Sequence, residues 1–401
     1  MNIPFFDLKR QYQTLKSEMT ERAAQVMESC SFIGGPYVKE FETQIAGYLG
    51  VKHAFGCGNG TEALVVALRA CGVGPGDEVI TTPFTFFATA EAVASIGAVP
   101  VFSDIRREDY TLDPEQIEEK ITARTRAILP VHIFGAPCRM EEITAIAARH
   151  GLRVVEDCAQ AIGSMYRGKK AGSLGHIGCF SFYPTKNLGG FGDGGLVTTG
   201  DGDLAVVLAA LREHGAGKNG ARALEILGGA AETPALSEQT GALYDPYKYY
   251  NYIIGYNSRL DAMQAAALSV KLPRLDGYNS ARAEIAGAYA SGLCGALEKP
   301  RYAADTVPCW HQYVVRTPRK YELCDYLQQH GVGCGTFYPV PLHLQKAFAD
   351  LGYRPGSLPE AERAAAETVC LPMFPELTAE EVAFVIDTAN RFFAEKGGCT
   401  P

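Results

Sequence analysis

Phe180-Ser181-Phe182-Tyr183-Pro184-Thr185-Lys186-Asn187-Leu188-Gly189-Gly190-Phe191-Gly192-Asp193-Gly194-Gly195 is the stretch whose reading decides the fold of this 401-residue chain. Alternating apolar residues predict a strand over 179–183, and Pro184 biases the residue before it towards extended geometry, so the strand should end there. Lys186 then falls at a strand end, on a loop whose glycines admit close approach by a ligand or a second chain segment. An amine so placed is a candidate for Schiff-base chemistry; the plain alternative is a surface lysine.

Outward from this stretch, strand and helix patterns alternate from about residue 60 to 200. Residues 62–71 read as helix, 78–86 as strand, 88–96 as helix and 99–104 as strand. Asp113-Pro114-Glu115-Gln116 reads as a helix start, with Asp as N-cap and Pro in the first turn. Strand 127–133, helix 140–150, and strands 152–156, 179–183 and 195–199 follow. Such alternation predicts an α/β fold with a mostly parallel sheet covered by helices on both faces.

Residues 215–256 break the rhythm, first Gly/Ala/Ser-rich and then carrying tyrosines at 244, 247, 249, 250, 252 and 256. A loop of this length is expected to be functional or mobile, and its tyrosines either pack against a partner or line a substrate entrance. Beyond it, 259–272 and 274–293 read as helices separated by Pro273. Strand 311–316, helix 320–330 and strand 332–338 come next, and a last helix opens with the capping box Thr378-Ala379-Glu380-Glu381. The expected domains are 1–255, large and α/β, and 256–401, smaller and α+β.

Composition narrows the function. The chain is 47% hydrophobic, enough for a large core, and carries a net charge of -8 without a dense Lys/Arg block, which disfavours nucleic acid or an anionic membrane as partner. Charged residues soon after Met1 exclude a secretory signal, and no apolar run reaches the ~20 residues that span a bilayer. Twelve cysteines include no C-x-x-C pair, so they read as reduced thiols in a cytoplasmic protein rather than as metal ligands.

Two further segments accompany Lys186. Gly56-Cys57-Gly58-Asn59-Gly60-Thr61-Glu62 precedes an apolar helix, and the free amides of a helix start make a phosphate seat; the plain reading is a glycine loop with a threonine cap. Asp157, after strand 152–156, should lie at the carboxyl edge of the sheet, where open α/β folds bind ligands. It suits a protonated ring nitrogen, or else caps a helix. Gly163-Ser164-Met165-Tyr166-Arg167-Gly168-Lys169 has Walker A spacing but continues with Lys170 where Ser or Thr is needed, so Arg167-Gly168 reads as a hairpin turn. Gly56, Gly58 and Gly60 lack dinucleotide-fingerprint spacing.

With these residues in this order, the chain resembles the DegT/DnrJ/EryC1/StrS family of sugar aminotransferases, of pyridoxal-phosphate fold type I. Further matching motifs are Pro4-Phe5-Phe6-Asp7-Leu8, Gly74-Pro75-Gly76-Asp77-Glu78-Val79, Glu156-Asp157-Cys158-Ala159-Gln160-Ala161, Gly255-Tyr256-Asn257-Ser258-Arg259-Leu260-Asp261 and Phe337-Tyr338-Pro339. The resemblance implies a seven-stranded-type sheet and pyridoxal 5′-phosphate (PLP, with its amino form PMP) as cofactor. It implies that Lys186 bonds the cofactor and shuttles a proton, and that Asp157 keeps the ring nitrogen protonated. Gln160 would sit beside the ring hydroxyl and Phe86 on the ring face, with Gly60, Thr61 and Ser181 at the phosphate.

Asn257 would reach that phosphate from a second subunit, implying a homodimer with the site at the interface. Arg259 and Tyr338, and by weaker correspondence Tyr250 and His343, would face the substrate; for Arg259 an ion pair with Asp261 or another acid is the competing reading. The implied reaction moves an amine from an amino acid, L-glutamate in this family, to a keto group of a nucleotide-linked hexose. Lys186 disfavours the dehydratase branch, which has histidine there. The segment 183–189 resembles the 3-keto branch more than the 4-keto branch. The alternatives are a cyclitol or aminohydroxybenzoate-type member, and a PLP-binding regulator without turnover.

Overall fold

The computed structural model describes residues 1–231 and 249–396. Two helices come first, α1 (Leu8–Ser29) and α2 (Gly35–Leu49), and then strands and helices alternate. In chain order these are β1 (His53–Cys57), α3 (Gly60–Ala70), β2 (Glu78–Thr81), α4 (Ala88–Ser95), β3 (Val99–Phe102), β4 (Thr125–Leu129), α5 (Met140–His150) and β5 (Arg153–Asp157). A hairpin of β6 (Met165–Tyr166) and β7 (Lys169–Lys170) leads to β8 (Ile177–Ser181), β9 (Gly195–Thr199), α6 (Gly202–Leu211) and α7 (Gly217–Ile226).

Seven of the strands form one sheet in the order β1-β9-β8-β5-β4-β2-β3, with β9 antiparallel to both neighbours and the remaining pairs parallel. The sequence alternation therefore led to the right class. Period-two alternation divides the side chains between two cores. Val79, Ala127, Leu129, Val155, Cys179 and Val197 pack with α3 and α6 on one face. Ile80, Ile128 and Val154 pack with α5 on the other, where Phe180 and Leu196 meet α2. Because both faces are covered, these strands are apolar almost throughout.

The chain continues with α8 (Ala262–Lys271), α9 (Leu275–Gly292), β10 (Thr306–Val307), β11 (Tyr313–Arg316), α10 (Lys320–Gln329), α11 (Pro359–Glu367), β12 (Thr368–Leu371) and α12 (Ala379–Glu395). Antiparallel β11 and β12 share a core with α9, α10 and α12 that includes Tyr289, Tyr313, Leu327, Leu371 and Phe392. The capping box of Thr378 and Glu381 forms as expected. Glu381 also accepts two bonds from Arg10, of 2.6 and 2.7 Å, tying α1 to α12. No helix among the described residues is long and apolar enough to cross a membrane.

Several local expectations are corrected. The strand expected to reach Tyr183 ends at Ser181, because a turn closed by the Lys186 amide on the Tyr183 carbonyl draws the chain away. Residues 332–338 form no strand: Val332 bridges to Ile3 and Gly335 to Cys370, while β12 supplies the partner of β11. The helix expected from Asp113 is two short 3-10 turns, Pro114–Gln116 and Glu118–Lys120. The supposed loop 215–256 contains α7; Tyr244 and Tyr247 lie outside the described residues. The hairpin expected at Arg167-Gly168 is present, with φ of 49° and 76°, the left-handed geometry a two-residue turn needs.

Candidate active site

Parallel orientation brings the carboxyl ends of β1, β5 and β8 to one edge of the sheet, and hence Gly58–Thr61, Asp157 and Ser181–Lys186 to one place. At α3 the Asn59 side chain accepts from the Glu62 amide at 2.8 Å and returns a bond to the Glu62 carboxylate at 3.1 Å. The first amides of α3 thus project from the sheet edge without an intrahelical carbonyl. A Cβ on Gly60 would stand 2.8 Å from the Ser181 Cβ, so only glycine lets the helix start meet the end of β8. Likewise a Cβ on Gly195 would meet the Asn59 carbonyl oxygen at 2.3 Å. The expected seat for a phosphate is a close junction of Gly60, Thr61 and Ser181.

Asp157 is 5% exposed. Its carboxylate accepts from the Thr89 hydroxyl at 2.8 Å and the Ala159 amide at 3.1 Å. Burial pushes this carboxyl above its ordinary range, against the pull of those donors and of Lys186. Burial likewise pulls the Lys186 amine down to about 8, opposed by the Asp157 charge. A buried acid with two neutral donors is suited to a cationic N–H, and an amine near 8 is neutral often enough to bond an aldehyde. The residues at this edge fit pyridoxal phosphate at its nitrogen, its aldehyde and its phosphate.

Gln160 and Tyr338 are joined, the Gln160 amide donating to the Tyr338 hydroxyl at 3.0 Å while its oxygen accepts from the Phe134 amide at 2.7 Å. The Tyr338 ring lies 6.1 Å from that of Phe86, which is 58% exposed and free to cover a flat ligand. Ser258, between Asn257 and Arg259, accepts from the Gly58 amide at 3.3 Å. Asn257 pairs through its backbone with Glu213, and Arg259 lines a cavity of about 700 Å³ with His214, Lys218 and Tyr249. The alternative ion pair of Arg259 with Asp261 does not form, since Asp261 caps α8 at the Gln264 amide. The ring of Tyr250 meets that of Tyr252 edge to face, with centroids 4.8 Å apart. His343 is 1% exposed and bonded to Glu362 at 3.0 Å, which leaves its ring little surface to offer a substrate.

Sequence reasoning missed Thr89 and the brace under Asp157. Glu156, on the opposite face of β5, accepts from His132 at 2.9 Å and from the amides of Gly172, Leu174 and Gly175. With Cys158 these side chains lie within 4.8 Å of one another, but both Glu156 oxygens are already bonded, which accounts for the cluster without an ion. The adjacency of Glu156 and Asp157 in a strand was the available signal.

Fold and site together define an α/β transferase dependent on pyridoxal phosphate. The sequence matches the DegT/DnrJ/EryC1/StrS aminotransferase family over residues 13–390, and the chain belongs to that family. It is 46% identical over 397 residues to the pleiotropic regulatory protein of Geobacillus stearothermophilus, covering 98% of this chain and 99% of that one. It is 42% identical over 390 residues to a UDP-N-acetyl-3-dehydro-alpha-D-glucosamine 3-aminotransferase of Acidithiobacillus ferrooxidans, covering 97% of each. The crystal structure of S. venezuelae DesV in complex with a ketimine intermediate superposes with a TM-score of 0.88 at 42% identity, over 98% of both chains.

Proposed function

We propose that this enzyme transfers an amino group from an amino acid, L-glutamate by family resemblance, to the keto group at carbon 3 of a nucleotide-linked hexose. The observation that carries the reading is the convergence of Lys186, Asp157 and the Gly60–Ser181 junction at one sheet edge. The choice of a 3-keto sugar is supported by the Acidithiobacillus relative and by segment 183–189.

When bound, pyridoxal phosphate supplies an electron sink for the carbanion left by proton removal. The protein's part is orientation and proton handling. The first amides of α3, with Gly60, Thr61 and Ser181, hold the phosphate. Asp157 accepts the N–H of the ring nitrogen and keeps it protonated, a charge-assisted bond of roughly 1.5–3 kcal/mol. Gln160 orients the ring hydroxyl and Phe86 covers one ring face. Lys186 Nζ would hold the cofactor aldehyde and, as a free amine, would take up the proton lost by the donor carbon and later return it as its conjugate acid.

A homodimer completes the site on this reading, with Asn257 of one protomer reaching the phosphate of the other. Arg259, Tyr338 and Tyr250 face the sugar nucleotide. The enzyme acts in the cytoplasm. Residues 1–255 form the cofactor domain and 256–401 the smaller one, which is supported by the separate core of β11, β12 and their helices. Borohydride reduction of the holoprotein should leave a cofactor tag on residue 186, and a tag elsewhere would overturn the assignment. A panel of keto sugar nucleotides and cyclitol ketones, scored for amine transfer from glutamate, separates sugar from carbocycle.

The relative described as a pleiotropic regulatory protein keeps a second reading open, a cofactor-binding regulator without turnover. Glutamate should bleach the yellow holoprotein if it is an aminotransferase; persistent colour favours the regulator.

A further inference from the structure

The residue after the reacting lysine is bonded more completely than its neighbours. Asn187 is 6% exposed, and its amide nitrogen donates to the Asn279 Oδ1 and to the Cys309 carbonyl, each at 2.9 Å. A carbonyl can only accept, so the orientation of the Asn187 amide is determined and its oxygen must be the acceptor towards His311 Nδ1 at 3.0 Å. His311 therefore carries its proton on Nδ1.

The loop presenting His311 is itself held from three sides. Arg282 of α9, buried, donates to the carbonyls of Trp310, His311 and Met373. Trp310 adopts φ of 52°, a conformation costly for a bulky residue that persists only where its surroundings enforce it. The Cys309 thiol donates to the Gln160 carbonyl at 3.3 Å, and the Gln312 amide to that of Phe134. One short loop, lying just before β11, thus touches the residue after Lys186 and the backbone of Gln160.

We infer that Asn187 and His311 are positioning residues that fix the direction and the partial burial of the Lys186 amine, and that the 309–312 loop couples the C-terminal segment to it through them. The inference rests on Lys186 being the reacting amine, which borohydride tagging tests separately. Three charged or titratable groups bear on the arrangement. They are Asp157 from β5, His311 from the loop, and Arg282 behind it from α9. Burial, with the charges of Lys186 and Arg282, keeps His311 neutral. A neutral imidazole can donate to Asn187 without adding a second cation beside the amine.

The test is the titration of Lys186 in the apoprotein, read by competitive amine labelling and peptide mass spectrometry. Wild-type protein should label with a midpoint of about 8. Asn187→Ala frees the lysine turn to hydrate, and His311→Phe removes the donor; each should move the midpoint upward by about a unit, leaving ~10-fold less neutral amine at pH 7. His311→Asn can return an N–H to the place of Nδ1 and should restore a midpoint near the wild-type value. In the holoprotein the two damaging variants should lower kcat with little change in KM. A midpoint unmoved in Asn187→Ala and His311→Phe overturns the inference, as does a shift in His311→Asn equal to that in His311→Phe. Should Asn187→Ala fail to fold, the two His311 variants decide by themselves.

Discussion

The replacement Asp157→Asn separates two effects of one carboxylate. In the protein the Lys186 amine lies at about 8 instead of 10.5, so at pH 7 roughly one molecule in ten has a neutral amine, about 300-fold more than for a free lysine. Asp157 opposes this depression, because its negative charge favours the ammonium form. Asparagine has the same shape and no charge, so the Lys186 midpoint should fall below 8 and the neutral amine become more abundant. Amine transfer should nonetheless slow by about 10- to 150-fold, the equivalent of the roughly 1.5–3 kcal/mol lost with a charge-assisted bond to the ring nitrogen. The first quantity is read by competitive labelling of the apoprotein across the alkaline range. The second is read by single-turnover bleaching of the holoprotein with glutamate. A midpoint that stays or rises refutes the electrostatic coupling, and an undiminished rate refutes the role given to Asp157.

Three other perturbations follow from the same geometry. Gly60→Ala places a methyl 2.8 Å from the Ser181 Cβ, overpacking worth ~1–3 kcal/mol, and should weaken cofactor binding by about tenfold in a fluorescence titration. Gly47→Ala in α2, where a Cβ meets nothing within 4 Å, is the control and should leave cofactor affinity unchanged. Glu381 is held down to about 2 by Arg10 and the Thr378 amide, so its stabilisation is complete above the ordinary carboxyl value of 4.5 and lost as pH falls towards 2. Acid unfolding followed by circular dichroism should show that loss in the parent and not in Glu381→Gln; equal acid sensitivity would refute the pairing. Mixed dimers of Lys186→Ala with Asn257→Ala should recover activity that neither shows alone, and no recovery would argue against a site shared between protomers.

The pattern around Lys186 was legible because each feature depends on neighbours in the chain. Glycines 56, 58 and 60 lead into an apolar helix, Pro184 ends an extended run, and Asp157 closes an apolar strand. Alternation in β2, β4, β5, β8 and β9 carried the class of the sheet, since each strand divides its side chains between two cores. Residues 332–338 misled because their apolar character is spent packing against the first residues of the chain, a contact that no local pattern encodes. His343 was placed towards the substrate by resemblance alone, and no local pattern shows that Glu362, nineteen positions away, bonds its ring.

Local pattern by itself determined the α/β class and the positions of the amine and the acid just beyond apolar strands. Only the tertiary structure decided how those groups behave. The depression of Lys186 to about 8, the pairing of Asp157 with Thr89, and the lock of Asn187 by Cys309 and His311 all arise between residues distant in sequence. The physical reason is that ionisation and orientation depend on which groups exclude water from a site, and that is a property of packing rather than of spacing along the chain.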